Sequence, residues 1–228
     1  MKIPRNHPEL VNRLAADLPP VSQLGTPAMR ALVWMVLPAA LATWAVAGHL
    51  RADFAARLQA PAFLLELGLL AAGAWLSAWL AFRAAVPDRR VSGRALCVAV
   101  GVVAAATVIL LLQPGRPPPM AGDSAARGLG CLEKTVALAG VPWLLVVLTL
   151  RRGGSVTPAA SGALAGAAAF LLANVAMRLV CPNDAPAHVV TWHLLPVVAA
   201  SMLSAALGAA WFGRWALSGR SSRSPRSL

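Results

Sequence analysis

Six apolar runs of about 20 residues each are the feature of this sequence that most restricts its fold. We place them at residues 29–50, 62–82, 94–112, 131–150, 158–180 and 192–213. An α-helix of about 20 residues, rising 1.5 Å per residue, crosses a hydrocarbon core of about 30 Å. The chain is 58% hydrophobic and 12% charged, whereas a soluble domain carries about a quarter charged residues. The sequence therefore predicts an all-α membrane protein, a six-transmembrane-helix bundle that spans a lipid bilayer.

Lysine and arginine are unevenly distributed around these runs, and this predicts the orientation. With the N-terminus in the cytoplasm, fourteen of the 20 basic residues fall on the cytoplasmic side and six on the other. Cytoplasmic loops of membrane proteins carry this excess of positive charge. Both termini are therefore predicted to be cytoplasmic. Because the net charge of +12 flanks the apolar runs, and no RNA or DNA motif is recognised, we expect no direct binding of nucleic acid.

The composition divides the chain into three regions. Residues 1–28 form a polar cytoplasmic segment, residues 29–213 the transmembrane domain, and residues 214–228 a basic, serine-rich tail predicted to be disordered. In the first region, apolar residues recur at roughly helical spacing, namely Leu10, Val11, Leu14, Leu18 and Val21. This pattern predicts a short amphipathic helix. It either packs on the membrane and its own bundle or presents its apolar face to a cytoplasmic partner.

Cys131 and Cys181 bracket two of the spans, which are joined by the short segment RRGGSVTP. Two helices joined in this way are antiparallel, so their outer ends lie at one membrane face. Packed helix axes are about 10 Å apart, and we therefore expect the two thiols to be neighbours. On the non-cytoplasmic side of a bacterial membrane they could form a structural disulfide or act as a reversible sensor. The spacing does not separate these two alternatives.

Other possible metal ligands are predicted on the same side as the thiols. They are Asp184, His188 and His193, and thiolates suit thiophilic metals. However, no CxxC or HxxxH spacing fixes the ligands locally, so we expect no resident metal, and Cys131, Cys181, His188 and His193 remain candidate ligands only. An equally good interpretation is that His188 is a solvated loop residue and His193 an interfacial one, and that neither binds a metal.

The remaining polar residues within the runs do not indicate catalysis. Glu66 and Glu133 lie close to the ends of their spans and are expected to reach the interface, while Asn174 is deeper and could bond across helices. Cys97 is interpreted as a small apolar filler. No Ser-His-Asp set, phosphate loop or paired-carboxylate site is recognised. We therefore predict neither an enzyme nor a cofactor.

A membrane oxidoreductase and a small transporter are two alternative functions that agree less well with these observations. A membrane thiol oxidoreductase coupled to quinone would need two cysteine pairs, one of them closely spaced, and the chain has one widely separated pair. A small transporter would need intramembrane polar residues and inverted repeats, which the sequence does not display. Bound quinone would favour the first alternative, whereas a co-purifying regulatory protein would favour a role in regulation.

The sequence resembles the NrsF family of membrane-embedded anti-sigma factors. The resemblance rests on VNRLAADLPPVSQLGTPAMRALVW (11–34), on the six apolar runs and on the two thiols. It implies that the chain is a multi-pass protein of the bacterial inner membrane whose cytoplasmic N-terminal segment sequesters an extracytoplasmic-function (ECF) sigma factor. It also implies that Cys131 and Cys181 sense heavy-metal or oxidative stress.

Overall fold

The computed structural model describes residues 25–86, 91–112, 125–151 and 155–221, together with Asn12 and Ala16, and side chains as far as Trp211. The described residues form helices α1 (Pro27–Val46), α2 (Phe54–Arg57), α3 (Pro61–Ala84), α4 (Gly93–Leu112), α5 (Ala125–Arg151), α6 (Pro158–Val180), α7 (Pro186–Val189) and α8 (Leu195–Ser221). A single π-helical turn, Val190–Leu194, joins α7 to α8.

Six of these helical stretches are long and apolar enough to cross a membrane, the last running from Pro186 to Trp211. The predicted all-α six-helix membrane bundle is thereby confirmed. The fourth span begins at Ala125, earlier than the predicted residue 131, because Ala125, Ala126 and Arg127 favour a helix although they precede the continuous apolar run. Cys131 consequently lies inside α5 and not at its first residue. The last helix likewise extends past the predicted end at 213.

Prolines and caps explain where the spanning helices begin. Pro27, Pro61 and Pro158 occupy the first turns of α1, α3 and α6. The first-turn amides of a helix have no partner within it, so a residue without an N–H is tolerated there. The hydroxyl of Thr26 also accepts a hydrogen bond from the amide of Met29, at 3.3 Å, and caps α1.

Helix α6 lies at the centre of the bundle. It packs against α3, α5 and α8, and about two thirds of its apolar stretch is buried. Its contact with α8 depends on glycine: a Cβ atom on Gly162 would clash with the carbonyl of Ser204, and one on Gly208 would lie 2.5 Å from the carbonyl oxygen of Pro158. Small residues therefore let these two helices approach closely.

The connections 47–60 and 181–185 and the outer turns of α5 lie together at one end of the bundle, which we call the thiol end. The backbone amide of Arg51 donates to the carbonyl of Leu179 at 3.0 Å, so the loop after α1 is held against the last turn of α6. At the opposite end, α3 is followed by the start of α4. The thiol end holds the residues that can carry chemistry.

Candidate functional site

The two thiols meet at the thiol end. Cys131 projects from the outer part of α5, and Cys181 directly follows α6, which runs antiparallel to α5. Their sulfur atoms are 3.8 Å apart, although fifty residues separate them in sequence. The expectation that the hairpin brings these residues together is confirmed. Cys181 is buried and Cys131 is half-buried.

Two histidines complete this cluster. The Nε2 atom of His188 is 3.5 Å from the sulfur of Cys181, and the imidazole rings of His188 and His193 are 5.4 Å apart between centroids. The possible ligand atoms of Cys131, Cys181, His188 and His193 all lie within 4.8 Å of one another. Both histidines are buried. Burial contradicts the alternative interpretation of His188 as a solvated loop residue, and it places the side chain of His193 inside the bundle.

The segment after Cys181 explains why both histidines are buried. The side-chain oxygen of Asn183 accepts a hydrogen bond from the amide of Ala185 at 3.0 Å, which closes a tight turn before α7. The chain then returns into the bundle and does not extend into solvent. This reversal depends on side-chain contacts and not on hydrophobic periodicity, so the apolar pattern does not predict it.

His193 is held from two sides. The amide nitrogen of Asn174 donates to the backbone carbonyl of His193 at 2.7 Å, which confirms that Asn174 bonds across helices. Next to His193, the indole of Trp192 lies where a Cβ atom on Gly128 would be, so the lack of a side chain at Gly128 lets Trp192 lie against α5. The π turn fits the sequence as well, because Pro196 has no amide to donate to the carbonyl of Trp192.

A buried ion network lies beside the cluster. The guanidinium of Arg178 bonds to Glu66 at 2.6 Å and to Asp184 at 2.7 Å, and Arg51 bonds to the other oxygen of Asp184 at 2.7 Å. Asp53 and Arg57 close the outer edge of the network. Three guanidinium groups thus meet three carboxylates. Asp184, considered as a metal ligand from the sequence, is committed to these ion pairs.

The structure contradicts the position predicted for the side chain of Glu66. Its side chain is 2% exposed and pairs with Arg178, which is 1% exposed, so it does not extend to the interface. A signal for this pair was present in the sequence, because ionisable residues of opposite charge within apolar runs commonly pair with one another. The distance of each charged residue from the end of its own run does not reveal the pair, because it considers the two residues separately. Glu133, in contrast, is exposed.

The electrostatics of the loop residues follow from these contacts. Burial alone would raise the pKa of Asp184, but its hydrogen bonds and attraction to Arg51 and Arg178 lower that pKa to about 2. Burial would also lower the pKa of Arg51, yet the contacts with Asp184 and Asp53 raise it. For Cys181, the contact with Cys131 lowers the pKa of the thiol below its ordinary value, and burial opposes this effect.

The other residues singled out from the sequence are not part of this cluster. Cys97 lies in the first turns of α4, at the opposite end of the bundle, and is exposed. Leu10, Val11, Leu14, Leu18 and Val21 lie outside the described residues. Between them, Asn12 and Ala16 have helical backbone and are exposed.

A family model described as "NrsF: Negative regulator of sigma F" matches residues 14–215. The chain belongs to the NrsF family. The match includes all six membrane-spanning helices and part of the N-terminal segment, and it confirms the resemblance inferred from the sequence. No match was found among curated proteins or among solved structures. This NrsF-family chain is accordingly a multi-pass membrane protein and a negative regulator of a sigma factor.

The ion network generates a prediction about stability. Replacing Arg178 by methionine should destabilise the protein by about 3–5 kcal/mol, because Glu66 would lose its buried ion pair and Asp184 would lose one of its guanidinium contacts. Thermal unfolding of the purified chain in detergent would measure this loss. Arg57→Met is the matched control: Arg57 is partly exposed and Arg51 still holds Asp184, so the cost should stay below about 1 kcal/mol. Equal effects of the two substitutions would contradict the assigned role of Arg178.

Proposed function

We propose that this NrsF-family protein sequesters an ECF sigma factor at the bacterial inner membrane and releases it when its thiol pair is modified. Residues 1–28 bind the sigma factor in the cytoplasm, residues 29–213 hold the protein in the membrane, and residues 214–228 form a basic cytoplasmic tail. Cys131 and Cys181 sense heavy-metal or oxidative stress from the periplasm. The observation that carries the proposal is the family match over residues 14–215.

The proposed regulation needs a path between the two membrane faces. The thiols lie on α5 and directly after α6, and these helices run from the thiol end to the Arg151–Pro158 connection at the other end. A change in the arrangement of the thiols would therefore be transmitted along two helices that pack on each other. Regulation by binding and release requires no catalytic group, so the proposal describes a regulator and not an enzyme.

Orientation is the first element to test. In a variant whose three cysteines are replaced by serine, single cysteines would be introduced at Gly48 and at Val156, which are both exposed and lie at opposite ends of the bundle. A membrane-impermeant thiol reagent should label the Gly48→Cys protein in intact spheroplasts and the Val156→Cys protein only after permeabilisation, given the fourteen-to-six distribution of basic residues. The reverse pattern would invert the proposed topology.

The partner segment is tested by placing a charge on its apolar face. Leu14→Glu should release the sigma factor, because an unpaired carboxylate in the interface costs roughly 3–5 kcal/mol, and sigma-dependent transcription should become constitutive. Asn12→Glu is the control, since Asn12 is exposed and lies between the apolar positions. Reporter expression and co-purification of the sigma factor would be measured together with the amount of each variant in the membrane. Retention of the sigma factor by Leu14→Glu at normal abundance would rule out this binding face.

The sensing role is tested on the cysteines themselves. Cys131→Ser and Cys181→Ser should each still inhibit the sigma factor but lose the response to stress, or be locked in one state, because either substitution removes one thiol of the pair. Cys97→Ser should respond as the wild type does, since Cys97 lies at the opposite end of the bundle. The measurement is sigma-dependent transcription with and without cadmium or peroxide. Normal responses in both Cys131→Ser and Cys181→Ser would leave the pair a purely structural role.

A further inference from the structure

We propose that His188 and His193 join Cys131 and Cys181 in a single four-coordinate site for a divalent ion of the zinc class, Zn²⁺ or Cd²⁺. The site assigns a ligand role to two histidines that the sensing proposal does not use. Its regulatory meaning rests on the function proposed above, whereas its metal chemistry rests on the arrangement of these four side chains alone.

The distances within the cluster fit a tetrahedral metal site. With Zn–S bonds of about 2.3 Å and Zn–N bonds of about 2.0–2.1 Å, a regular tetrahedron places two sulfur ligands about 3.8 Å apart. The same geometry places a sulfur and a nitrogen ligand about 3.5–3.6 Å apart. In the structure, the two sulfurs are 3.8 Å apart, and Cys181 Sγ is 3.5 Å from His188 Nε2. All donor atoms lie within 4.8 Å of one another, so small side-chain rotations would complete the polyhedron.

The state of His193 is the second observation. Its side chain is fully buried and close to the thiol of Cys181, but neither ring nitrogen makes a hydrogen bond of ordinary length and angle with a described residue. Buried polar atoms are rarely left in this state, and a bond from one nitrogen to a metal ion would satisfy it. The position of the ring is supported by two contacts. Asn174 donates a hydrogen bond to the backbone carbonyl of His193, and Trp192 packs the same turn against Gly128.

Charge also favours a metal ion over isolated thiolates. The neighbouring network already matches three guanidinium groups with three carboxylates, so no guanidinium of the network remains to neutralise a buried thiolate. On binding, each thiol gives its proton to water, and two thiolates with one divalent ion form a neutral group that two neutral imidazoles complete. Burial therefore penalises this assembly less than it would penalise separate charges.

The donor set identifies the class of ion. Ca²⁺ and Mg²⁺ require oxygen ligands, and the adjacent carboxylate of Asp184 is held by Arg51 and Arg178. Two thiolates and two imidazoles are instead the ligands of closed, structural zinc sites. With four protein ligands, the ion would retain no position for a reacting water, which agrees with a sensor or a staple and not with a catalytic centre. Binding would tie α5, the end of α6 and the π turn to one atom.

The experiment uses the full-length chain, purified in detergent with its thiols kept reduced by a phosphine, and Co²⁺ as a spectroscopic probe. We expect one Co²⁺ per chain, with the absorption of a tetrahedral ion and a sulfur-to-cobalt charge-transfer band, and displacement of that ion by Zn²⁺ or Cd²⁺. His193→Ala and His188→Ala should each weaken binding by at least about 10-fold, since losing even an outer-shell partner typically costs that much.

Matched controls exist for both ligand types. His49 is exposed and Cys97 lies at the opposite end of the bundle, so His49→Ala and Cys97→Ser should bind Co²⁺ as the wild type does. Should His193→Ala fail to fold, His193→Cys provides a second test, because a third thiolate would strengthen the charge-transfer band while keeping four ligands. Thermal unfolding of each metal-free variant would show that the fold is intact.

Two results would overturn the site. One is a folded, reduced wild-type chain that binds none of Co²⁺, Zn²⁺ or Cd²⁺. The other is wild-type affinity in both histidine variants, which would indicate a site made by the thiols alone. Because no sigma factor is present, failure of the metal site is distinguishable from failure of the proposed function: normal metal binding in a protein that keeps its sigma factor under cadmium would support the site and contradict its sensing role.

Discussion

The pairing of Arg178 with Glu66 and Asp184 is the interaction on which the thiol end depends. The guanidinium of Arg178 is buried within the bundle and not open to water, so its position is determined by the two carboxylates. One of them comes from α3 and the other from the loop that follows Cys181. The network therefore fixes the direction in which the chain leaves α6, and with it the position of Cys181 relative to α5.

The same loop leads into the turn that carries both histidines. Asn183 closes the reversal, Asn174 holds the backbone of His193, and Gly128 leaves room for Trp192. Uncharged residues thus position the two imidazoles, as the ion network positions Cys181. Close packing of α6 on α8 through Gly162 and Gly208 extends this arrangement to the other end of the bundle, so that the cluster and the opposite face belong to one packed unit.

Much of this arrangement could be predicted from the sequence. Hydropathy identified the six spans, and the short connection between two of them was enough to predict that Cys131 and Cys181 meet. The burial of Glu66, His188 and His193 could not be predicted in the same way, because hydropathy and distance from a span end treat each polar residue separately. Their burial is a property of pairs and of a loop conformation, namely the contact with Arg178 and the reversal after Cys181.

The π turn at Val190–Leu194 determines which side of the last span faces the thiols. It holds one residue more than an α-helical turn of the same height, and an α-helix advances about 100° per residue. Without that extra residue, the start of the span would be rotated by about this angle relative to α8, and the ring of His193 would lie away from Cys181. The π turn is therefore what brings an imidazole of the last span to the thiols of the fourth and fifth.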